Sequence, residues 1–377
     1  MKLLFLSQGH KTSDHPGFHD ALLKLRNEGF ITDFLNIPYF GFAKEHGWDA
    51  FYKEVVKLTK DGDFNVVYFQ FFHKKGKPSP RNCLENLNKL PKAPIIITSC
   101  GDPFSHNWMR IDYPDDFKMV SRYADITFST QMGKAADKMI NWGAKNVVLS
   151  PHASCQVRFS NTCINYANSN FEFDVVFIGN NNGRRLFNPI SKHWWGSKQR
   201  EELVSKLHKK FSNRLGLFGN GWEFSSSRGS VSFNEQLNAM RKGKVLVGGN
   251  PYSYNDYYAS NRPFFEVLSG IPTVELKVPR LENILRKDDH CYYANDTDEV
   301  IEVTEKLLKE DKEKIFNKSM QAAYYIDEKH TQYHRMKFEI ETIKKYKKNN
   351  YKLSVEFPFF LPEIDLNEEK KFAIRSK

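Results

Sequence analysis

The sequence predicts an α/β protein of two domains in tandem, each a doubly wound parallel sheet, facing each other across a cleft. Three observations carry this. Short apolar runs alternate with helical stretches through the first 150 residues, the chain turns polar and aperiodic from about 154 to 171, and the alternation then resumes. A length of 377 residues suits two domains, and 40% hydrophobic residues, with 31 Phe and 17 Tyr, are ample for two cores.

In the first half, strands are expected at 3–6, 32–35, 66–71, 95–98, 126–128 and 147–149, each a short apolar run of the kind a sheet buries on both faces. The run Leu3-Leu4-Phe5-Leu6 is too short for a secretion signal and reads as the first buried strand. Helices are expected between the strands, at 17–27, 48–60, 81–90, 116–123 and 134–141. The second series has strands at 174–178, 215–218, 245–247 and 273–276, and helices at 198–211, 234–241, 262–269, 298–309 and 311–347. The boundaries that follow are 1–152 for the first Rossmann-like domain, 153–171 for a linker and 172–330 for the second domain, with 331–377 as a helix and tail returning to the first. The charged end after Phe357-Pro-Phe-Phe-Leu-Pro362 is expected to fray.

The formal charge of +11 favours an anionic partner, whether nucleic acid, a lipid surface or a charged substrate. Part of the excess lies in Lys-rich helical stretches such as 206–210 and 344–348, where solvation alone accounts for it. The cysteines at 83, 100, 155, 163 and 291 form no CxxC pair and read as reduced thiols of a cytoplasmic protein without a zinc site. No apolar run approaches a membrane span. A Walker A sequence and a complete GxGxxG are both missing, so ATP hydrolysis of that kind and dehydrogenation have no support.

Ligands of open α/β sheets bind beyond the carboxyl ends of the strands. In the first domain those ends carry Gln8-Gly9-His10, followed by Asp14 and His15, and Ser99-Cys-Gly-Asp102-Pro-Phe-Ser-His106-Asn-Trp108. In the second they carry Gly179-Asn-Asn-Asn-Gly183-Arg184-Arg185, Gly219-Asn220-Gly221-Trp222 and Gly248-Gly249-Asn250. One glycine after a strand is ordinary turn chemistry. Three such turns in one domain, with Arg184, Arg185 and Arg200, point to a diphosphate site, because glycine lets backbone N–H groups approach an anion.

The stretch Arg262-Pro-Phe-Phe-Glu266-Val-Leu-Ser-Gly270 places one acid on an apolar helix that ends at a glycine cap. A buried carboxylate is costly without a partner. Two partners satisfy it: a ribose diol, whose hydroxyls both donate, or Arg262 one turn away.

In order along the chain, Asp174-Val-Val-Phe-Ile-Gly179, Leu217-Phe-Gly-Asn-Gly-Trp222, Gly229-Ser-Val231, Asn261-Arg-Pro-Phe-Phe-Glu266 and Glu328-Lys-His330-Thr with Arg335 resemble the donor domain of GT-B glycosyltransferases, in particular the CgeB-like group. Asp102-Pro-Phe-Ser-His-Asn-Trp108, Lys198-Gln-Arg200-Glu201, Leu217-Phe-Gly-Asn220 and Ser253-Tyr-Asn-Asp256 are similar to segments of the DNA β-glucosyltransferases of T-even phages. There are departures from the latter: the stretch 186–196, with Trp194 and Trp195, is extra, the acid stands at a different offset from the proline, and Arg262 is one residue out of step.

The resemblance implies a GT-B fold and transfer of a sugar from a nucleotide-sugar, a UDP-sugar first, to a hydroxyl. It implies no required cofactor and no catalytic metal, leaving open a Mg²⁺ on the diphosphate. Asp102 is the candidate base, with an Asp-Pro turn as its structural alternative and Asp14 as second choice. Arg184, Arg185, Arg200 and Arg262 would balance the leaving diphosphate, helped by N–H groups around Gly179, Gly219 and Asn220, and Glu266 would hold the ribose. His10, Asp14, His106 and Trp108 are acceptor-side candidates, with loop or packing roles as their alternatives. The acceptor favoured is a hydroxymethylated pyrimidine in phage DNA, which makes double-stranded DNA the partner. The competing readings are a CgeB-like transferase acting on a polysaccharide, a surface or spore protein or a small molecule; a non-catalytic sugar-nucleotide or nucleic-acid binding protein; and an epimerase on the same plan.

Overall fold

A computed structural model describes residues 1–74, 76, 78–102, 113–159, 170–181, 195–250, 254–353 and 363–376. In β1 (Lys2–Ser7), Leu3 and Phe5 enter one hydrophobic cluster while Leu4 and Leu6 enter another. That alternation is the period of two of a strand covered on both faces, and it explains a run with no polar residue. The first domain continues through α1 (Pro16–Asn27), β2 (Asp33–Pro38), α2 (Tyr39–His46), α3 (Trp48–Asp61), β3 (Val66–Phe69) and α4 (Arg81–Asn88). It ends with β4 (Ile95–Cys100), α5 (Asp115–Tyr123), β5 (Ile126–Ser129), α6 (Lys134–Asn141) and β6 (Asn146–Leu149). The six strands are parallel in the order β6-β5-β4-β3-β1-β2.

The second domain runs β7 (Phe173–Ile178), α7 (Trp195–Phe211), β8 (Leu215–Phe218), α8 (Gln236–Met240), β9 (Gly243–Val247), α9 (Arg262–Leu268), β10 (Thr273–Leu276), β11 (Tyr292–Ala294) and α10 (Thr297–Lys309). Its parallel sheet has the order β11-β10-β9-β7-β8. Two helices follow, α11 (Lys312–Lys329) and α12 (Gln332–Lys348), then α13 (Leu366–Ala373) and β12 (Ile374–Ser376). Two parallel-sheet α/β domains in tandem are therefore present, as expected. One core cluster is continuous through both, joining Leu3 and Phe128 to Val176, Phe264 and Ile340. Each aromatic ring buried in it contributes roughly 1.5–3 kcal/mol.

Two expectations are corrected. The helix expected over 311–347 is broken at His330 and Thr331, because the chain there runs beside residue 154. Ser154 N donates to His330 O (2.9 Å) and Gln332 N donates to Ser154 O (2.8 Å). α12 then packs on α1, so the chain crosses between domains twice at one place. The tail expected to fray is ordered over 363–376, where β12 pairs antiparallel with β6 and covers an otherwise open sheet edge. Arg280 of the second domain ion-pairs with Glu369 and lies 3.5 Å from the centre of the Phe372 ring. Among the described residues, no helix is long and apolar enough to cross a membrane.

Candidate active site

The second sheet reverses its order between β7 and β9, so its ligand edge lies where the turns after these strands meet. Gly219 has φ +137°, and a Cβ there would stand 2.2 Å from the carbonyl oxygen of Gly179. Only glycine allows the turns after β7 and β8 to close on each other. The closure engages the local donors: Gly179 N bonds to Phe218 O (2.9 Å), Gly219 N to Gly229 O (2.8 Å) and Asn220 N to Asn180 Oδ1 (2.9 Å). The expected N–H cradle around Gly179, Gly219 and Asn220 is therefore corrected, since those groups hold the turns together. The turns wall a cavity of about 240 Å³, with Asn261, Arg262 and Phe265 also lining it.

Arg262 lines that cavity and places Nη1 3.4 Å from Gly249 O. Arg200 does not line it. Only 5% exposed, it donates from Nε (3.2 Å) and Nη2 (2.8 Å) to Gly249 O and from Nη1 (3.1 Å) to Asn180 O, tying two turns together. Burial, and then Arg262, pull its pKa down to about 9, which leaves it charged at neutral pH. Glu266 is 2% exposed and also absent from the cavity wall. Burial raises its pKa, and Arg262 opposes the rise. Glu275 on β10 hydrogen-bonds to it, and burial followed by the Glu266 charge pushes Glu275 well above the carboxylate range. The proton of the pair thus belongs on Glu275, and the Glu266 carboxylate answers Arg262. Glu266 Oε2 has no hydrogen-bond partner among the described residues.

Across the cleft, Asp102 follows β4, and its Oδ1 accepts a hydrogen bond from Tyr258 Oη of the second domain (2.6 Å). A cavity of about 260 Å³ opens beside it, walled by Gln8, His15, His73 and His152 of the first domain, by Ser260 and Asn261 of the second, and by Arg335 and Glu339 of α12. Asn261 lines this cavity and the 240 Å³ cavity, so the two adjoin. Burial lowers the pKa of both His15 and His152, which keeps the rings neutral.

Other sequence candidates take other places. Asp14 Oδ2 accepts from His10 N (2.7 Å) and Lys11 N (3.2 Å), and the His10 bond leads in lowering its pKa. It lines a third cavity of about 270 Å³ with Arg158 and Phe233. The His10 side chain is exposed, with its ring 5.9 Å from that of Phe40. Arg184, Arg185, His106, Trp108, Trp194 and the Trp195 side chain lie outside the described residues. Among the described residues, no group of three or more His, Cys, Asp or Glu could hold a metal ion.

Residues 198–341, from α7 into α12, match the family described as glycosyl transferase-like. No curated protein matches the chain at a significant level. Solved structures share its whole architecture. Anabaena Alr3699/HepE in complex with UDP has 11% identity and a TM-score of 0.52, over 92% of this chain and 100% of that one. Sucrose-phosphate synthase from Thermosynechococcus elongatus has 10% identity and a TM-score of 0.55, over 93% and 100%. An α-glucosyltransferase in complex with UDP and a 13-mer DNA has 13% identity and a TM-score of 0.58, over 91% and 99%. At such identities the likeness is one of fold. The chain has the GT-B fold, and its residues 198–341 carry the glycosyl transferase-like match.

Three polar residues of this chain escaped the sequence reading. Glu339 sits on the buried stripe of α12 with Met336, Ile340 and Ile343, and accepts from Tyr68 Oη (2.7 Å) and Ser150 Oγ (2.6 Å). Burial pushes its pKa up to about 7. An acid on an apolar stripe was the available signal. Glu275, inside the apolar strand Thr-Val-Glu-Leu, offered the same one. Tyr258 offered none, since its partner Asp102 is 156 residues away.

Proposed function

We propose that the protein transfers a sugar from a UDP-sugar to the hydroxyl of a hydroxymethylated pyrimidine in double-stranded DNA. The observation that carries the transferase chemistry is Asp102, a carboxylate beside a 260 Å³ cavity that adjoins the nucleotide-side cavity through Asn261. Asp102 takes the proton of the acceptor hydroxyl, the freed oxygen attacks the anomeric carbon, and the bond from that carbon to the diphosphate oxygen breaks. Arg262 balances the charge that develops on the diphosphate, and by sequence Arg184 and Arg185 belong to the same task. Arg200 holds the turns that shape the cavity. Glu266 is the residue that the resemblance gives to the ribose; buried and off the cavity wall, it would reach the hydroxyls only after Arg262 moves to the diphosphate. UDP as the nucleotude carrier is supported by the UDP-bound folds of the same plan.

The DNA acceptor is supported by the charge of +11, by the segment from Asp102 to Trp108, and by fold neighbours crystallised with DNA, one containing an HMU base. Bringing such a base to Asp102 requires flipping it from the helix, at a cost of a few kcal/mol. A CgeB-like role on a glycan or protein shares the donor domain, which is the part that the family match covers.

The test is mass spectrometry of nucleosides from duplexes containing hydroxymethylcytosine or hydroxymethyluracil, each incubated with the protein and a panel of nucleotide-sugars. A sugar-sized mass gain on the modified base is the expected result. Hydrolysis of a nucleotide-sugar with no gain on any duplex would sink the DNA acceptor and keep the transferase.

A further inference from the structure

We propose that Tyr258 is a positioning residue through which donor binding sets the orientation of the Asp102 carboxylate. The inference rests on reading Asp102 as the base. Tyr258 is fully buried, and its hydroxyl donates to Asp102 Oδ1 across the domain boundary (2.6 Å). A hydrogen bond to one carboxylate oxygen holds the Asp102 side chain in one orientation and leaves Oδ2 to take the acceptor proton.

The segment that carries Tyr258 is fixed to the donor side. It follows β9, where Gly249 O accepts from Arg200 and from Arg262 Nη1. Asn250 Oδ1 accepts from Ser260 N (3.0 Å) and Ser260 Oγ (3.2 Å), which closes the segment on itself. Between them Tyr257 has φ +62°, a left-handed backbone that costs a non-glycine residue about 1–3 kcal/mol. Its N–H donates to Pro279 O (2.8 Å), which holds it there. The same segment meets the first domain at two further points: Asn255 Nδ2 donates to Gln131 Oε1, and Met132 N donates to Asp256 O (3.0 Å). One bridge thus joins Arg262, which faces the nucleotide cavity, to Asp102, which faces the acceptor cavity. A diphosphate that draws Arg262 moves a bridge whose other end is the hydrogen bond on the base.

Tyr258→Phe keeps the ring and removes the hydroxyl. With UDP-glucose and a hydroxymethylated duplex, kcat is expected to fall by about tenfold or more while KM for UDP-glucose stays within about twofold. Gln131→Ala loosens a neighbouring contact of the bridge and leaves the hydroxyl in place, so its kcat falls less than that of Tyr258→Phe. Hydrogen exchange with UDP alone needs no acceptor. In the wild type, UDP is expected to slow exchange at 95–102 as well as at 254–261, and in Tyr258→Phe only at 254–261. A Tyr258→Phe variant with wild-type kcat and wild-type protection at 95–102 overturns the proposal. A fully active Asp102→Asn overturns the reading of the base and the coupling with it. Absence of any UDP protection overturns the donor reading.

Discussion

The guanidinium of Arg200 places Nε and Nη2 3.2 and 2.8 Å from the carbonyl oxygen of Gly249, and its Nη1 reaches Asn180 O on the adjacent turn. One buried side chain thereby fixes the distance between the turns after β7 and β9. Lysine carries the charge without the planar fork, so Arg200→Lys cannot serve both carbonyls. Each buried group left unpaired costs about 1–3 kcal/mol. Arg200→Lys is expected to lower the urea midpoint accordingly and to raise KM for the nucleotide-sugar more than it lowers kcat. An unchanged KM in a destabilised variant would show that the turns do not depend on this link.

Glu266 and Glu275 are a buried carboxyl pair whose members should respond differently to amide substitution. Glu275 is already neutral, held so by burial and by the Glu266 charge. Glu275→Gln therefore keeps its shape and charge state and is expected to change stability at pH 7 by less than about 1 kcal/mol, within the range of a conservative swap. Glu266→Gln removes the charge that answers Arg262 and leaves the buried Arg200 and the half-buried Arg262 with less compensation, a loss on the order of 3 kcal/mol. Chemical denaturation of both variants checks the order. Equal effects would mean that the proton is not held on Glu275.

Glu339 makes stability depend on pH. Burial raises its folded-state pKa to about 7 from an ordinary carboxyl value, so the unfolded chain loses this proton first as pH rises. Its contribution is complete below the unfolded pKa and is lost progressively as pH rises toward about 7. Glu339→Gln abolishes that loss. The variant should gain on the order of 2–3 kcal/mol over wild type at pH 8 and nothing near pH 4. Melting temperatures of both proteins from pH 4 to pH 8 test this, and parallel curves would refute it.

Much of this was legible in the sequence, for reasons that separate the two kinds of residue. Leu3 to Leu6 announce a strand because burial on both faces leaves no polar position, and Gly219 announces a turn because no other residue fits against Gly179 O. Such constraints are local. Tyr258 and Asp102, or Tyr68 and Glu339, are pairs whose partners lie 156 and 271 residues apart, and nothing near either residue encodes the other. The strand β12 was missed because three residues carry no readable period, and it exists only because β6 offers an edge.

The ordered tail supplies the last test. Arg280 is the joint between the second domain and α13, through its ion pair with Glu369 and its place over Phe372, and it holds φ +64°. Both Arg280→Ala and Arg280→Gly delete the joint, but only alanine keeps a Cβ in the left-handed conformation. Glycine adopts that conformation freely, although it also loosens the unfolded chain. The strain relieved is about 1 kcal/mol, so Arg280→Gly is expected to unfold at higher urea than Arg280→Ala, with both below wild type. Deleting 363–377 removes the joint and β12 together and uncovers the edge of β6. That truncation should then associate in a concentration-dependent way that neither point variant shows, as an open strand edge does. Light scattering over a concentration series separates the two effects, and a truncation that stays monomeric would mean that β6 does not depend on β12 for its cover.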